Sequence, residues 1–386
     1  MMSLQLPDSV ESTGSTAQAT KSKQPRTSAI KSLTQMELKQ RVRSGRWRIT
    51  LGIWFAVLLA LTFAQLFFFD SNLSGTAGTY SRPGAANVAG TTLLVVLLVG
   101  LVISPAQTAT SINGDRRDGV LALVQAAPVS TWSLVLGKLL AAWIAALAFL
   151  VTSLPVLLWM AALGGIPWWS LGLAIVVEAL LLLAVCGVGL GLSALTPRTG
   201  ASTMLSYLFV AVIVIGLPFL MLMLTPAMEV SEERTVARQT YYDYEFNDNL
   251  ENVKIPCTES REVVYTTDAR PFVWLLFPNP LVIVSDAMPI QEGMLTPTSL
   301  IRDGLSELMS PPDYPPSTCE EFERRYRENS SSTTYEPFQG EAVNRPGWIW
   351  IVGLGVNLLF GAGGLFLAYR RLRVPATKLP DNVRIA

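Results

Sequence analysis

The side chains that could do chemistry are few, and their scarcity narrows the field. There is no histidine among 386 residues. That removes imidazole metal ligands, Ser-His and Cys-His nucleophile pairs and any histidine proton relay. Of the three cysteines, Cys186 sits in an apolar run and reads as a packing residue, whereas Cys257 and Cys319 fall in one acidic segment. No C-x-x-C spacing occurs, so neither a zinc site nor a thioredoxin-like site is expected. Gly187, Gly189 and Gly191 lie inside an apolar run, not between a strand and a helix, and Gly137-Lys138 lacks the upstream glycine of a phosphate loop. Their spacing by two is read as permitting close approach or bending, not as a G-x-x-x-G dimer face. No catalytic residue and no metal-ligand set is assigned. What remains is a charged turn at Asp115, Arg116, Arg117 and Asp118, and one acid, Glu178, inside an apolar run.

The elements that would position these groups are apolar. Six segments, Ile49–Phe69, Val88–Thr110, Leu139–Leu163, Ser170–Ala194, Ala201–Thr225 and Trp348–Tyr369, are each long enough to cross a bilayer, which takes roughly 20 residues of helix. Glu178 is the single charged side chain in any of them. They are apolar all round, so lipid suits them better than water. Half of the residues are hydrophobic and 15% are charged, a balance ordinary for polytopic membrane proteins. The expected fold is an all-α polytopic membrane protein with six transmembrane helices. An N-terminal interfacial helix and a large extracytoplasmic loop domain between helices five and six complete it.

Charge sets the orientation. With the N-terminus inside, segments 21–48, 111–138, 195–200 and 370–386 lie inside and hold nine, three, one and five Lys or Arg. The short outside segments 70–87 and 161–169 hold one and none. That is the positive-inside pattern, so both termini are expected in the cytoplasm and the chain in the cell membrane. Trp47, Trp54, Trp168, Trp169, Trp348 and Trp350 cluster at the expected edges, where aromatic rings favour headgroup level. No secretory signal is expected, because 48 mostly polar residues precede the first apolar run.

Five regions follow. Residues 1–32 read as a disordered cytoplasmic tail rich in Ser, Thr, Gln and Lys. Residues 33–225 form the membrane domain. It opens on LTQMELKQRVRSGRW at 33–47, a basic amphipathic helix in the interface or a merely positive flank, and it includes an exposed segment at 111–138. There span 2 extends past the membrane or breaks near Pro105. Val120, Leu121, Leu123 and Val124 then give a short apolar face that Pro128 ends. That face suits either a soluble partner or the lipid surface. Residues 226–346 form the outer region, with 21 of the 29 acids, an aromatic-acidic run at Tyr241–Asp248 and a Pro-interrupted apolar stretch at Pro271–Val284. The stretch reads as a core or partly inserted segment, and loops are expected between it and residue 347. Residues 347–369 are the sixth span and 370–386 a basic cytoplasmic tail.

Two more expectations concern single groups. Cys257 and Cys319 both lie in the outer region, where oxidation is permitted. A disulfide there would contribute roughly 4 kcal/mol by loop-entropy reasoning; the alternative is two separate thiols. Glu178 lies near mid-membrane, where a carboxylate is costly. It is a substrate contact, a neutral protonated side chain or a hydrogen-bonded brace between helices, and the brace is favoured.

The stretch ISPAQTATSINGDRRDGVLALVQAAPVSTWSLVLGKLL at 103–140 resembles the signature region of type-2 ABC exporter permeases. The resemblance runs through Asp115, Arg116, Gly119, Leu121, Pro128, Ser130, Gly137 and Lys138. It departs where Asp115 replaces a longer acid, Arg117 an acid and Val120 a threonine. MELKQRVRSGRW is similar to the family's elbow helix, LSALTPRTGAS at 192–202 to its inner turn, NPLVIVSDAMP at 279–289 to its outer segment and RRLRVPATKLP at 370–380 to its tail. The resemblance implies a six-span permease subunit that pairs with a second permease half, a homodimer or a related subunit, and binds a cytoplasmic ABC ATPase. It implies that Asp115, Arg116, Arg117, Asp118, Gly119, Leu121, Leu123 and Pro128 form the ATPase-coupling segment. ATP and Mg would be bound by the partner, leaving this chain with no cofactor, no bond chemistry and no nucleic-acid partner. The rival reading is a membrane-anchored receptor or envelope-assembly protein with a ligand-binding outer domain. An intramembrane enzyme is weaker, since the spans hold one carboxylate and no dyad.

Overall fold

The computed structural model describes residues 26–43, 45–73, 82–119, 130–239, 257–288, 296–312, 314–330 and 347–373. Among the described residues, six helices are long and apolar enough to cross a membrane: span 1 Trp47–Phe67, span 2 Gly84–Arg117, span 3 Thr131–Ala162, span 4 Trp168–Leu195, span 5 Thr199–Met223 and span 6 Ile349–Leu372. The bundle has a near end, where the N-terminal helix Arg26–Arg43 lies, and a far end, where the described residues between 224 and 348 gather.

Several boundaries differ from the sequence reading. The N-terminal helix begins at Arg26, so residues 26–32, expected to be disordered, are helical. Its packing on span 3 supplies the burial that the sequence does not show: Ala29 and Thr34 are buried, and Leu33 lies over Gly137. Span 3 starts at Thr131 instead of Leu139 because Ser130 caps it, accepting from the Ser133 amide at 3.1 Å. The main helix of span 2 passes through Pro105 to Thr108, and a short helix, Ser111–Arg117, closes the span's range as the segment that follows this main helix. Trp54, expected as an interfacial anchor, is buried, and its indole N–H donates to the Phe149 carbonyl at 3.2 Å.

Glycine fixes how spans 4 and 6 meet. Gly187 and Gly191 are four residues apart and therefore share one helix face, so the reading of these glycines by spacing of two missed the outer pair. A Cβ at Gly187 would stand 2.6 Å from the Gly361 carbonyl oxygen, and one at Gly191 would stand 2.6 Å from the Gly364 Cα. The two backbones touch where any side chain would hold them apart. Span 5 lies at the bundle's flank and leaves most of its apolar residues uncovered, whereas span 3 is mostly buried. A π-helical turn, Val212–Gly216, interrupts span 5.

The far end is not all helical, which corrects the all-α expectation. Strand β1, Glu229–Gln239, pairs antiparallel with β2, Cys257–Thr267, from Glu229 opposite Thr267 to Gln239 opposite Cys257. β2 alternates half-buried and exposed residues from Glu262 on, the period-2 pattern of a strand with one covered face. The expectation of loops before span 6 is also corrected by helices Pro297–Met309 and Cys319–Ser330. Pro297 at the first helical position and the Thr296–Ser299 capping box start the former. The run Tyr241–Asp248 and the tail from 374 lie outside the described residues.

The Pro271–Val284 stretch becomes a 3-10 turn, Val273–Leu276, and a helix, Pro280–Ala287, both buried against the spans. Asparagines tie it in place. The Asn279 amide donates to the Val214 carbonyl in the π turn of span 5 at 3.1 Å, and Asn357 on span 6 donates to the Pro278 carbonyl at 2.9 Å. Asp286 accepts the Trp350 amide N–H at 2.9 Å, satisfying one of the open donors of the span 6 N-terminus. Arg302 donates to the Met288 carbonyl.

Candidate functional site

The segment after span 2 is held by hydroxyls and apolar packing. Ser202, at the start of span 5, donates to the Ala109 carbonyl at 2.6 Å. Ser193, at the end of span 4, accepts the amides of Ile112 at 3.0 Å and Asn113 at 3.3 Å. These amides belong to the first turn of the helix Ser111–Arg117 and have no acceptor within it. Ile112 is fully buried in a cluster with Leu134, Val135, Leu139, Leu190 and Leu372. Span 4 therefore holds this short helix through Ser193, span 5 holds Ala109 just before it, and residues of spans 3, 4 and 6 share the cluster that takes Ile112.

One turn farther, Asp115 meets Lys138. The Lys138 ammonium lies 2.6 Å from Asp115 Oδ2 and 2.8 Å from Glu37 Oε1. Lys138 is only 5% exposed, whereas the Glu37 and Asp115 side chains are 21% and 30% exposed. A buried ammonium costs several kcal/mol unless opposite charge meets it, and its three N–H groups can serve two carboxylates at once. Thr34 adds a hydrogen bond to the Gly137 carbonyl at 3.3 Å. The N-terminal helix, the segment after span 2 and the start of span 3 converge on this lysine.

Beyond Asp115 the chain turns outward. Arg116, Arg117, Asp118 and Gly119 are exposed. Gly119 has φ +71°, a left-handed conformation cheap only for glycine, and it turns the backbone away from the helix. The Arg117–Asp118 pair, at 3.3 Å with both side chains more than half exposed, contributes little. Leu121, Leu123 and Pro128 lie outside the described residues. The site thus offers charged groups on a rigidly held turn. Arg116, Arg117 and Asp118 are its exposed charged groups among the described residues.

Glu178 stands elsewhere. It is fully buried on span 4, and neither carboxylate oxygen has a hydrogen-bond partner among the described residues. The favoured reading of a hydrogen-bonded brace is therefore corrected: the flanking Val177, Leu181 and Leu182 are buried apolar residues.

Cys257 and Cys319 are joined in a disulfide with Cα atoms 5.6 Å apart. The bond links the start of β2 to the helix Cys319–Ser330. Glu259 accepts the Cys319 amide at 3.0 Å, and the Ala237 amide donates to the Pro316 carbonyl at 2.8 Å. The Arg234 guanidinium lies 3.7 Å from the centre of the Tyr314 ring.

Sequence reasoning did not connect Glu37 to Lys138 and passed over Ser193 and Ser202. Glu37 carried a signal: it is the single acid among nine bases in residues 21–48. An acid kept in a basic helix points to a cation across a packed face. The serines carry no such mark.

A family model described as ABC-2 family transporter protein matches residues 32–279. No curated protein matches the chain. The matched stretch includes the N-terminal helix from residue 32, spans 1 to 5, the Glu37–Lys138–Asp115 cluster and β1–β2.

Proposed function

Because this chain belongs to the ABC-2 transporter family and is a multi-pass membrane permease, we propose that it is the membrane subunit of an ABC exporter driven by a separate cytoplasmic ATPase. The observation that carries the reading is the family match, which runs through the charged turn Asp115–Gly119 held at the near end. In this reading the near end faces the cytoplasm, in keeping with the distribution of Lys and Arg, and the ribbon and its disulfide face outward. The exposed Arg116, Arg117 and Asp118 orient the ATPase, and the apolar Leu121 and Leu123 supply buried area. ATP and Mg are bound and ATP is hydrolysed by that partner. A second permease half, a copy or a related subunit, completes the translocation path.

The test is affinity purification from native membranes followed by assay of ATP hydrolysis. The unaltered permease retains an ATPase. The Leu121→Glu, Leu123→Glu double variant inserts normally, because neither residue lies in a span, and loses most of that retained activity. Full retention by the double variant would remove this segment as the coupling contact.

A further inference from the structure

We propose that Lys138 is the positioning residue of the near end: it joins the N-terminal helix, the turn carrying Asp115 and the base of span 3 into one mechanical unit. The proposal rests on the coupling reading above for what the unit transmits, but the unit itself stands on geometry.

Three elements distant in sequence meet at one atom. Glu37 comes from the N-terminal helix, Asp115 from the segment after span 2 and Lys138 from span 3, with contacts of 2.8 and 2.6 Å. Burial makes the junction stiff. An exposed ion pair exchanges freely with water and constrains little; an ammonium at 5% exposure cannot leave both carboxylates without standing uncompensated in a medium of low dielectric. Apolar contact alone would not do this. Leu33 over Gly137 brings the helix close, yet hydrophobic contact is non-directional and would let the helix slide along span 3. The ion pairs and the Thr34–Gly137 bond fix its register.

The position of the unit gives it a task. Arg116, Arg117 and Asp118 project outward from the residues next to Asp115, so a protein docked on them pushes on a turn that Lys138 holds. With the cluster intact, that displacement reaches span 3 and the N-terminal helix together. Without the ammonium, the turn keeps its Ser193 bonds and the packing of Ile112 but loses its charged link to the N-terminal helix and the base of span 3. Two acids on one base also make the junction separable: losing Glu37 frees only the N-terminal helix, and losing Asp115 frees only the turn.

The experiment places spin labels on cysteines at Lys31 and Gly114 and measures their separation in proteoliposomes of the permease with its co-purified ATPase. Runs are made without nucleotide and with a non-hydrolysable ATP analogue. With Lys138 present, the distance distribution is narrow and the same in both conditions. Lys138→Met keeps the stem and removes the charge. It broadens the distribution and lowers ATP turnover of the complex at least tenfold, while the amount of ATPase retained stays within twofold. A distribution that stays narrow in Lys138→Met, with unchanged turnover, overturns the proposal. If Lys138→Met does not assemble, Glu37→Gln decides: it leaves Lys138 paired to Asp115, so assembly persists and only the N-terminal helix loosens. An unchanged distribution there overturns the proposal equally. If the unaltered permease retains no ATPase, the coupling reading fails, and the narrow-against-broad comparison still decides the junction.

Discussion

Glu178 is a costly side chain to bury in the bundle. Its carboxyl is fully buried, and neither oxygen has a partner among the described residues. An unsatisfied buried polar group costs about 1–3 kcal/mol, whereas an apolar group of similar volume removes that cost. Glu178→Leu is therefore expected to raise the thermal midpoint in detergent, with Glu178→Gln close to the unaltered protein. If Glu178→Leu lowers the midpoint, a partner supplied by the complete assembly holds the acid. A gain in stability with a loss of transport would mark a residue kept for function at the expense of the fold. The acid was legible from its solitude in the apolar runs; that it has no partner among the described residues was not, because pairing depends on which helix faces it. Lys138 shows the same limit. Its place at the start of a span was visible, but Glu37 is 101 residues away, and no local pattern connects them.

Among the elements, spans 4 and 6 depend most narrowly on side-chain size. Gly191→Val would drive methyl groups into the Gly364 backbone, now 2.6 Å from a Cβ position. Overpacking of this kind costs typically about 1–3 kcal/mol, and backbone cannot move aside as a side chain does. A lowered midpoint with intact membrane insertion is the expected result, and Gly355→Val, where a Cβ has open space, is the control. The far-end elements respond to acid instead. A hydrogen bond from the Arg270 side chain holds the Asp268 carboxyl below the usual carboxylate range, and the Ser317 backbone amide does the same for Glu321, aided by Arg325. Both folded pKa values lie below the unfolded ones, so the stabilisation is complete above the ordinary carboxylate range of about 4 and is lost as pH falls through the lower folded values. Hydrogen-exchange protection factors of β1, β2 and the helix Cys319–Ser330, taken against the intrinsic rate at each pH, should be unchanged from pH 7 to 5 and fall only below about pH 4. The loss should be small, since solvent screens both groups. Loss of protection already at pH 6 would contradict this assignment. The spans were readable because lipid demands long apolar runs. The ribbon was missed because β1, EVSEERTVARQ, is too charged to show a clear apolar alternation, and its pairing with β2 is a long-range event.

At the scale of the molecule, orientation is the property on which the function turns. A single cysteine at Ser231, exposed on β1, should react with an impermeant maleimide in intact cells, and one at Arg371, exposed at the end of span 6, only after permeabilisation. The reverse pattern would invert the protein and place the ribbon with the ATPase. The number and order of spans were legible from hydropathy, and their orientation was argued from charge. Their mutual packing was not legible, because generic Leu, Val and Gly faces fit many neighbours and only the folded bundle selects among them.

The glycine seam between spans 4 and 6 also has a consequence in time. Span 4 ends at Leu195, but its closest partner begins at Ile349. During synthesis the first five helices are in place while more than a hundred further residues are still to be added. Throughout that interval the notch at Gly187 and Gly191 lacks the span 6 backbone that fills it in the finished fold. The bundle therefore closes last, after translation has nearly finished, and not helix by helix as it emerges. A ribosome that stalls between residues 224 and 348 leaves a five-helix product whose open seam distinguishes it from finished protein. Membrane proteases that survey loosely packed helices would find there a direct mark of incompleteness, and the lifetime of a chain truncated at 348 against that of the full chain measures it.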